Sequence, residues 1–181
     1  AMTSNNKGEK NVRKYMVDNS MVDAIVRLPD KLFLTTGIPA CLFILSKNRD
    51  GKDGTHRQRN NEILFLDASK MGTMASRKLR VFDDEDIQRI SETYHKWRNV
   101  SSSVVEGYAD VEGFCKAAKI RDAIKQDYKL TPGIYVGTEA EEDDGIPFEE
   151  KMEGLREQLL EQFEKGEELK EKIKANFEKI F

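Results

Sequence analysis

Residues 21–45 read MVDAIVRLPDKLFLTTGIPACLFIL, and this stretch decides the fold. Met21–Leu28 and Ala40–Leu45 are nearly continuous runs of Val, Ile, Leu, Phe and Ala. Runs of that kind are expected of strands covered on both faces, because a strand with one wet face alternates apolar and polar residues. The connection from Leu28 to Pro39 is long for a hairpin and carries Pro29, Gly37, Pro39 and three apolar side chains, Leu32, Phe33 and Leu34. A solvated loop gains nothing from exposing Leu and Phe, so this one is expected to pack on the body of its domain or to serve as a docking surface.

Toward the N-terminus, Val12, Tyr15 and Met16 recur at helical spacing with Asn19 suited to a C-cap, after a polar stretch, Met2–Lys7, expected to fray. Ala1 ahead of Met2 reads as a tag remnant, with the native start at Met2 or upstream. Toward the C-terminus come Ser46–Asn61, a loop rich in Gly, Asn, Asp and base, and Ile63–Leu66, a short strand. Three strands and a helix make the edge of an α/β sheet with one face uncovered, to be closed by residues beyond this chain or by another chain.

From Met71 the character changes. Lys70–Arg80 is basic and rich in small residues, and Asp83–Asp86 open a helix whose Ile87, Ile90, Tyr94 and Trp97 share a face. Asn99–Glu106 reads as Ser-rich linker. Gly113–Gly137 combines a short helical pattern around Ile120, Ala123 and Ile124 with an irregular Leu130–Val136, and Thr138–Gly145 is an acidic linker. Phe148, Met152, Leu155, Leu159, Phe163, Leu169, Ile173, Phe177 and Ile180 then form a helical stripe that includes Gly166, where a bend or a close approach is expected. A stripe of this length needs something to lie on, either its own chain or a partner helix, since large apolar side chains stabilise only when buried.

The 181 residues suffice for a real core. Charged residues are 35% of the chain but nearly balance at a net charge of -3, which excludes a protein that coats duplex with a broad basic surface. Cys41 and Cys115 are far apart in sequence and fit reduced structural thiols of a cytoplasmic protein. No apolar run approaches the length of a membrane span, and no signal-peptide pattern is present.

Chemistry is sparse. No glycine-rich turn follows a strand, since Gly51 and Gly54 lie in a charged loop, and His56 and His95 lack partners at metal-ligand spacing and read as surface residues. Ser101–Ser103 lack the context of a nucleophile elbow. Arg49, Lys52, His56, Arg57 and Arg59 form a basic loop able to touch phosphate, but the interleaved Asp50 and Asp53 favour a solvated hairpin tip. Lys70, Arg77, Lys78 and Arg80 have fewer acidic neighbours and are the preferred DNA-facing cluster.

Asn19–Leu28, followed by Leu-Pro-x-x-Leu-Phe-x-x-Thr-Gly-Ile-Pro and Ala40–Lys47, resembles the segment after the catalytic motif in the modification (M) subunits of type I restriction-modification systems, which are adenine N6 DNA methyltransferases. Gly113–Gly137, with Gly-Phe-Cys-Lys at its start and Tyr-x-Leu-Thr-Pro-Gly-x-Tyr-Val-Gly at its end, is a second match, and the acidic stretch Glu142–Met152 extends it. The fold the resemblance implies is partial α/β, an edge portion of a methyltransferase-like sheet followed by a mainly helical C-terminal region. Residues 1–75 would be the end of the methyltransferase domain, 76–137 a helical connector region, 138–147 an acidic linker and 148–181 an amphipathic C-terminal helix.

The implied parent transfers a methyl group from S-adenosylmethionine to adenine N6 in DNA. Its partners are the specificity (S) subunit, a second M subunit, the restriction subunit and DNA, with no membrane. The terminal helix, through Phe148, Met152, Leu155, Leu159, Phe163, Leu169, Ile173 and Phe177, would dock on the S subunit. The family's Asn/Asp-Pro-Pro-Tyr/Phe motif grips the flipped adenine, but no two prolines are adjacent here. The resemblance therefore transfers no catalytic, cofactor-binding or metal residue, and the chain is expected to be inactive alone. Ile134 stands where relatives often have Arg. The competing reading is a noncatalytic helical module that assembles a larger complex. S-adenosylmethionine binding restored by a second chain would separate the two.

Overall fold

The two apolar runs are strands that lie side by side, as consecutive elements of a sheet commonly do. Along the chain run α1 (Lys7–Asp18), β1 (Val22–Arg27), β2 (Cys41–Leu45), β3 (Glu62–Asp67), β4 (Thr73–Ser76), β5 (Leu79–Val81), α2 (Asp84–Arg98), β6 (Cys115–Lys119), α3 (Ile120–Lys125), α4 (Gly133–Val136) and α5 (Phe148–Glu178). The computed structural model describes residues 2–99, 107–138 and 148–178. The chain divides into two units, Ala1–Ala140 and Glu141–Phe181.

In the first unit a four-stranded sheet has the order β2-β1-β3-β6. β1 is antiparallel to β2, with Ile25 opposite Phe43, and parallel to β3, with Ile25 opposite Phe65. β6 closes the far side antiparallel to β3, with Ile63 opposite Ala118. Alternate residues of the two central strands face opposite cores, as the strand period demands. Ile25, Ile63 and Phe65 join Val17 of α1, Ala123 of α3 and Tyr135 of α4, with the Phe65 and Tyr135 rings stacked at 3.8 Å. Ala24, Val26, Leu64 and Leu66 join Trp97 of α2 and Phe114.

Both faces of β1 and β3 are thus covered, which overturns the expectation of an open face. α2 closes one face, and α1, α3 and α4 close the other. Openness lies instead along an edge. β2 is one of the two outermost strands, β6 being the other, and its Leu42 and Leu45 are half exposed, so its apolar run does not mark a strand buried on both sides.

β6 reads poorly in sequence because Cys-Lys-Ala-Ala-Lys has none of the branched or aromatic residues that favour strands. Its ladder to β3 places residues 115–136, expected within a helical connector, in the sheet and its core. The β4–β5 hairpin escaped for a similar reason, since its strands are short and mostly exposed. Gly72 starts it at φ +81°, where a Cβ would sit 2.8 Å from the Val81 carbonyl oxygen.

α1 turns a different face inward than Val12 and Tyr15 suggest. Those two are exposed, while Arg13 and Val17 are buried. Arg13 Nε donates to the Tyr128 carbonyl at 2.9 Å and Nη2 to the Ser4 carbonyl at 2.6 Å. Met2 packs on the core and its carbonyl accepts from Leu130 N at 3.2 Å, so the start of the chain is tied down rather than frayed. In the 28–39 loop Leu28 and Pro29 are buried and Leu32 packs against the core. Phe33, Leu34 and Ile38 are exposed, Leu34 to 85%.

Asp83 caps α2 in a reciprocal box with Asp86, and Ile90, Tyr94 and Trp97 face the core while Ile87 stays exposed. α5 runs for 31 residues through Gly154 and Gly166, with Met152, Leu155, Leu159, Phe163, Leu169, Ile173 and Phe177 all exposed. Ile180, Ser101–Ser103 and most of the two linkers lie outside the described residues. Cys41 and Cys115 are free thiols. Among the described residues no helix is long and apolar enough to cross a membrane.

Candidate functional site

An aspartate inside a strand buried on both faces must find cations. Asp23 on β1 is 0% exposed, and its Oδ1 accepts from Arg49 Nε at 2.9 Å and Arg59 Nε at 2.8 Å. Tyr94 of α2 donates its hydroxyl to Oδ2 at 2.8 Å, and burial, followed by that carboxylate, pushes the phenol up to about 12. The two guanidiniums, 2% and 1% exposed, also donate to backbone: Arg49 to the Ser20, Arg59 and Glu62 carbonyls, Arg59 to those of Arg57 and Asn48. Arg57 lies over the Trp97 ring at 4.9 Å and pairs with Glu62.

The loop expected to be a solvated tip or a phosphate contact is therefore neither at these positions. Arg49, Arg57 and Arg59 staple residues 46–61 to β1 and α2, because a buried carboxylate outcompetes water for a guanidinium that is already desolvated. Lys52 stays exposed beside Asp50. His56 is half-buried, with Nδ1 2.5 Å from Asp53 Oδ2, and this contact holds the Asp53 carboxyl well below the usual range; His95 is exposed.

A cleft of about 520 Å³ opens at the carboxyl ends of β1 and β3, the side of an open α/β sheet where ligands sit. Arg27 ends β1 and Asp67 ends β3, with Nη1 and Oδ2 3.2 Å apart. Gly133 lies against this pair, and a Cβ there would be 3.4 Å from Asp67 Oδ2. Arg89 of α2, over the Phe114 ring at 4.1 Å, forms the opposite wall, with Lys70, Asp83 and Asp86 on the lining.

The hairpin begins at the lip of this cleft. Arg80 of β5 donates Nη1 to the Met71 and Gly72 carbonyls at 3.2 and 2.9 Å and lies 3.6 Å from Asp30. It anchors the hairpin's base. Arg77 and Lys78, at the turn between β4 and β5, are exposed, and Lys70 is exposed at the base. The cluster picked from sequence is thus one structural feature, with three of its four cations on the surface.

The model of the N-6 DNA methylase family matches residues 1–144. This chain belongs to that family. Two type I restriction enzyme methylase subunits are similar to this N-6 DNA methylase chain. The HindI subunit of Haemophilus influenzae is 41% identical over 176 residues, 97% of this chain and 37% of that subunit. The MjaIX subunit of Methanocaldococcus jannaschii is 34% identical over 166 residues, 92% of this chain and 28% of that subunit. The crystal structure of the type I restriction-modification system methyltransferase subunit from Streptococcus thermophilus superposes with a TM-score of 0.59 at 25% identity, covering 76% of this chain and 25% of that one. The chain spans about a third of the length of the curated relatives it matches.

Among the described residues neither β1 nor β3 leads through a glycine turn into a helix. Such a turn at a helix N-terminus is what holds nucleotide phosphates in other α/β folds. β1 leads instead through Leu28–Pro39 to β2, and β3 leads through Gly72 into the β4–β5 hairpin. The described residues also include no cluster able to hold a metal ion.

Proposed function

We propose that this chain is the C-terminal part of a type I M subunit, and that it completes the sheet of a methyltransferase domain along the edge of β2. The observation that supports the reading is that edge. Leu42 and Leu45 are half exposed on an outermost strand, and Phe33, Leu34 and Ile38 extend the apolar surface beside it. A free strand edge with apolar neighbours is a pairing template, which proteins normally cover or blunt. The parent reaction is methyl transfer from S-adenosylmethionine to adenine N6 in DNA, performed in the cytoplasm by residues outside this chain. Mixing this chain with the preceding part of the subunit should restore S-adenosylmethionine binding, read by calorimetry, that neither part shows alone. Binding by this chain alone, or none from the mixture, counts against the proposal.

In the same reading α5 docks on the S subunit through Met152, Leu155, Leu159, Phe163, Leu169, Ile173 and Phe177, within a complex that includes a second M subunit and the restriction subunit. Lys70, Arg77 and Lys78 face DNA phosphates, with Arg80 holding their hairpin. Each phosphate contact contributes about 0.9 to the slope of log affinity against log salt. Arg77→Ala with Lys78→Ala should therefore lower that slope by about 2 in the assembled complex. An unchanged slope would remove the hairpin from the interface.

A further inference from the structure

The β4–β5 hairpin and the 28–39 loop hold each other in place. The hairpin is a two-stranded sheet of its own, and two strands alone are marginal in water. Arg80 joins it to the loop. Its backbone N–H donates to the Lys31 carbonyl at 2.9 Å, and its Nη2 lies 3.6 Å from Asp30 Oδ1. The same guanidinium donates Nη1 to the Met71 and Gly72 carbonyls, where the hairpin begins.

Lys31 carries the cost on the loop side. Its φ is +57°, in the left-handed region that a residue with a Cβ occupies at a penalty. Ser20, Asp127 and Tyr128 share that sign, but they follow the ends of α1 and α3, where such residues commonly close a helix. Lys31 closes no helix. A strained backbone persists only where its neighbours hold it, and the neighbour at the Lys31 carbonyl is Arg80.

We propose that Arg80 is a latch through which the hairpin and the 28–39 loop open and close as one body, so that whatever orders one orders the other. Past Lys31 the loop exposes Phe33, Leu34 and Ile38 around a turn in which Thr36 N donates to the Phe33 carbonyl at 3.2 Å. Arg77 and Lys78 are exposed at the turn of the hairpin. The latch therefore puts an apolar surface and a pair of cations on one unit. Its consequence for the parent rests on the function proposed above. Phosphate held by Arg77 and Lys78 favours the closed loop, and by linkage a partner on the apolar surface beside β2 favours the ordered hairpin to the same extent.

Trypsin cuts after lysine and arginine, so the chain carries its own reporters: Lys31 in the loop, Arg77 and Lys78 on the hairpin, and Lys52 in the 46–61 loop. Cleavage of a native chain follows the fraction of time that a site is locally open. In the full chain, Arg80→Ala should raise cleavage after Lys31 about tenfold, the scale of two lost hydrogen bonds, and after Arg77 and Lys78 by a similar factor. Asp30→Asn changes the loop alone and should raise cleavage at the hairpin about twofold. Lys31→Gly removes the left-handed penalty and should lower cleavage at the hairpin about threefold. Cleavage after Lys52 should be the same in all of them.

A hairpin that loosens in Arg80→Ala while Lys31 stays protected overturns the proposal, as does a hairpin indifferent to both Asp30→Asn and Lys31→Gly. Should Arg80→Ala unfold the whole unit, cleavage after Lys52 rises with the rest, and the two loop variants decide. If the loop and hairpin respond together but Arg77→Ala with Lys78→Ala leaves the salt slope of DNA binding unchanged, the phosphate reading fails and the latch stands.

Discussion

Asp23→Ala is expected to destabilise the unit Ala1–Ala140 by at least about 3–5 kcal/mol, the usual cost of leaving one partner of a buried ion pair uncompensated. The effect belongs at the top of that range because one carboxylate serves two guanidiniums, each at most 2% exposed, and a tyrosine hydroxyl. Small domains have only about 5–15 kcal/mol of net stability, so loss of folding at 37 °C is a reasonable outcome. Urea denaturation followed by circular dichroism measures it. A cost below about 1 kcal/mol would mean the arginines find water when Asp23 is gone, and would contradict a desolvated cluster.

The second large effect is expected at Trp97, which is wholly buried on the α2 side of the sheet. Trp97→Ala should cost about 3–5 kcal/mol from lost burial and the cavity left behind. The ring is also the platform for Arg57 at 4.9 Å and Arg59 at 5.9 Å, so the change should propagate into the 46–61 loop. Trp97→Ala and Arg57→Ala should therefore be non-additive by about 0.5 kcal/mol or more in a double-mutant cycle, beyond what independent sites show. Since Trp97 is the chain's one tryptophan, its fluorescence follows unfolding in every variant that retains it.

These two sites show where sequence reading stops. β1, β3, α1, α2 and α5 were legible because each carries a hydrophobic period or a cap. Asp23 was visible inside an apolar run, and two arginines stood on either side of a glycine-rich loop. Nothing in their spacing, 26 and 36 residues away from Asp23, announces the contact. The available signal was the aspartate itself, since a charge in a strand covered on both faces needs a partner. The donors, Arg49 and Arg59, were loop residues read instead as solvated.

β6 and the β4–β5 hairpin were missed for the opposite reason. Their residues have weak strand preference, and the ladder to β3 and the Gly72 turn fix them. The positions of α3 and α4 follow from β6, so one missed strand moved the whole 115–136 segment out of the core in the sequence reading and left a sheet face apparently bare. Of the cleft, Lys70 was marked beforehand as DNA-facing and Gly113, Phe114, Gly133 and Gly137 only as motif positions, because Arg27, Asp67 and Arg89 come together with them only once β1, β3 and α2 are packed.

The claim on which the functional account turns is that the outer edge of β2 is a joint, where the sheet of the parent enzyme continues. Amide hydrogen exchange of residues 41–45 measures it directly, first on this chain and then on its complex with the preceding part of the M subunit. Alternate β2 amides should exchange freely in the chain alone and become protected in the complex, while those of β1 and β3 are protected throughout. Equal protection of β2 in both states would contradict the account, because the edge would then need no further strand.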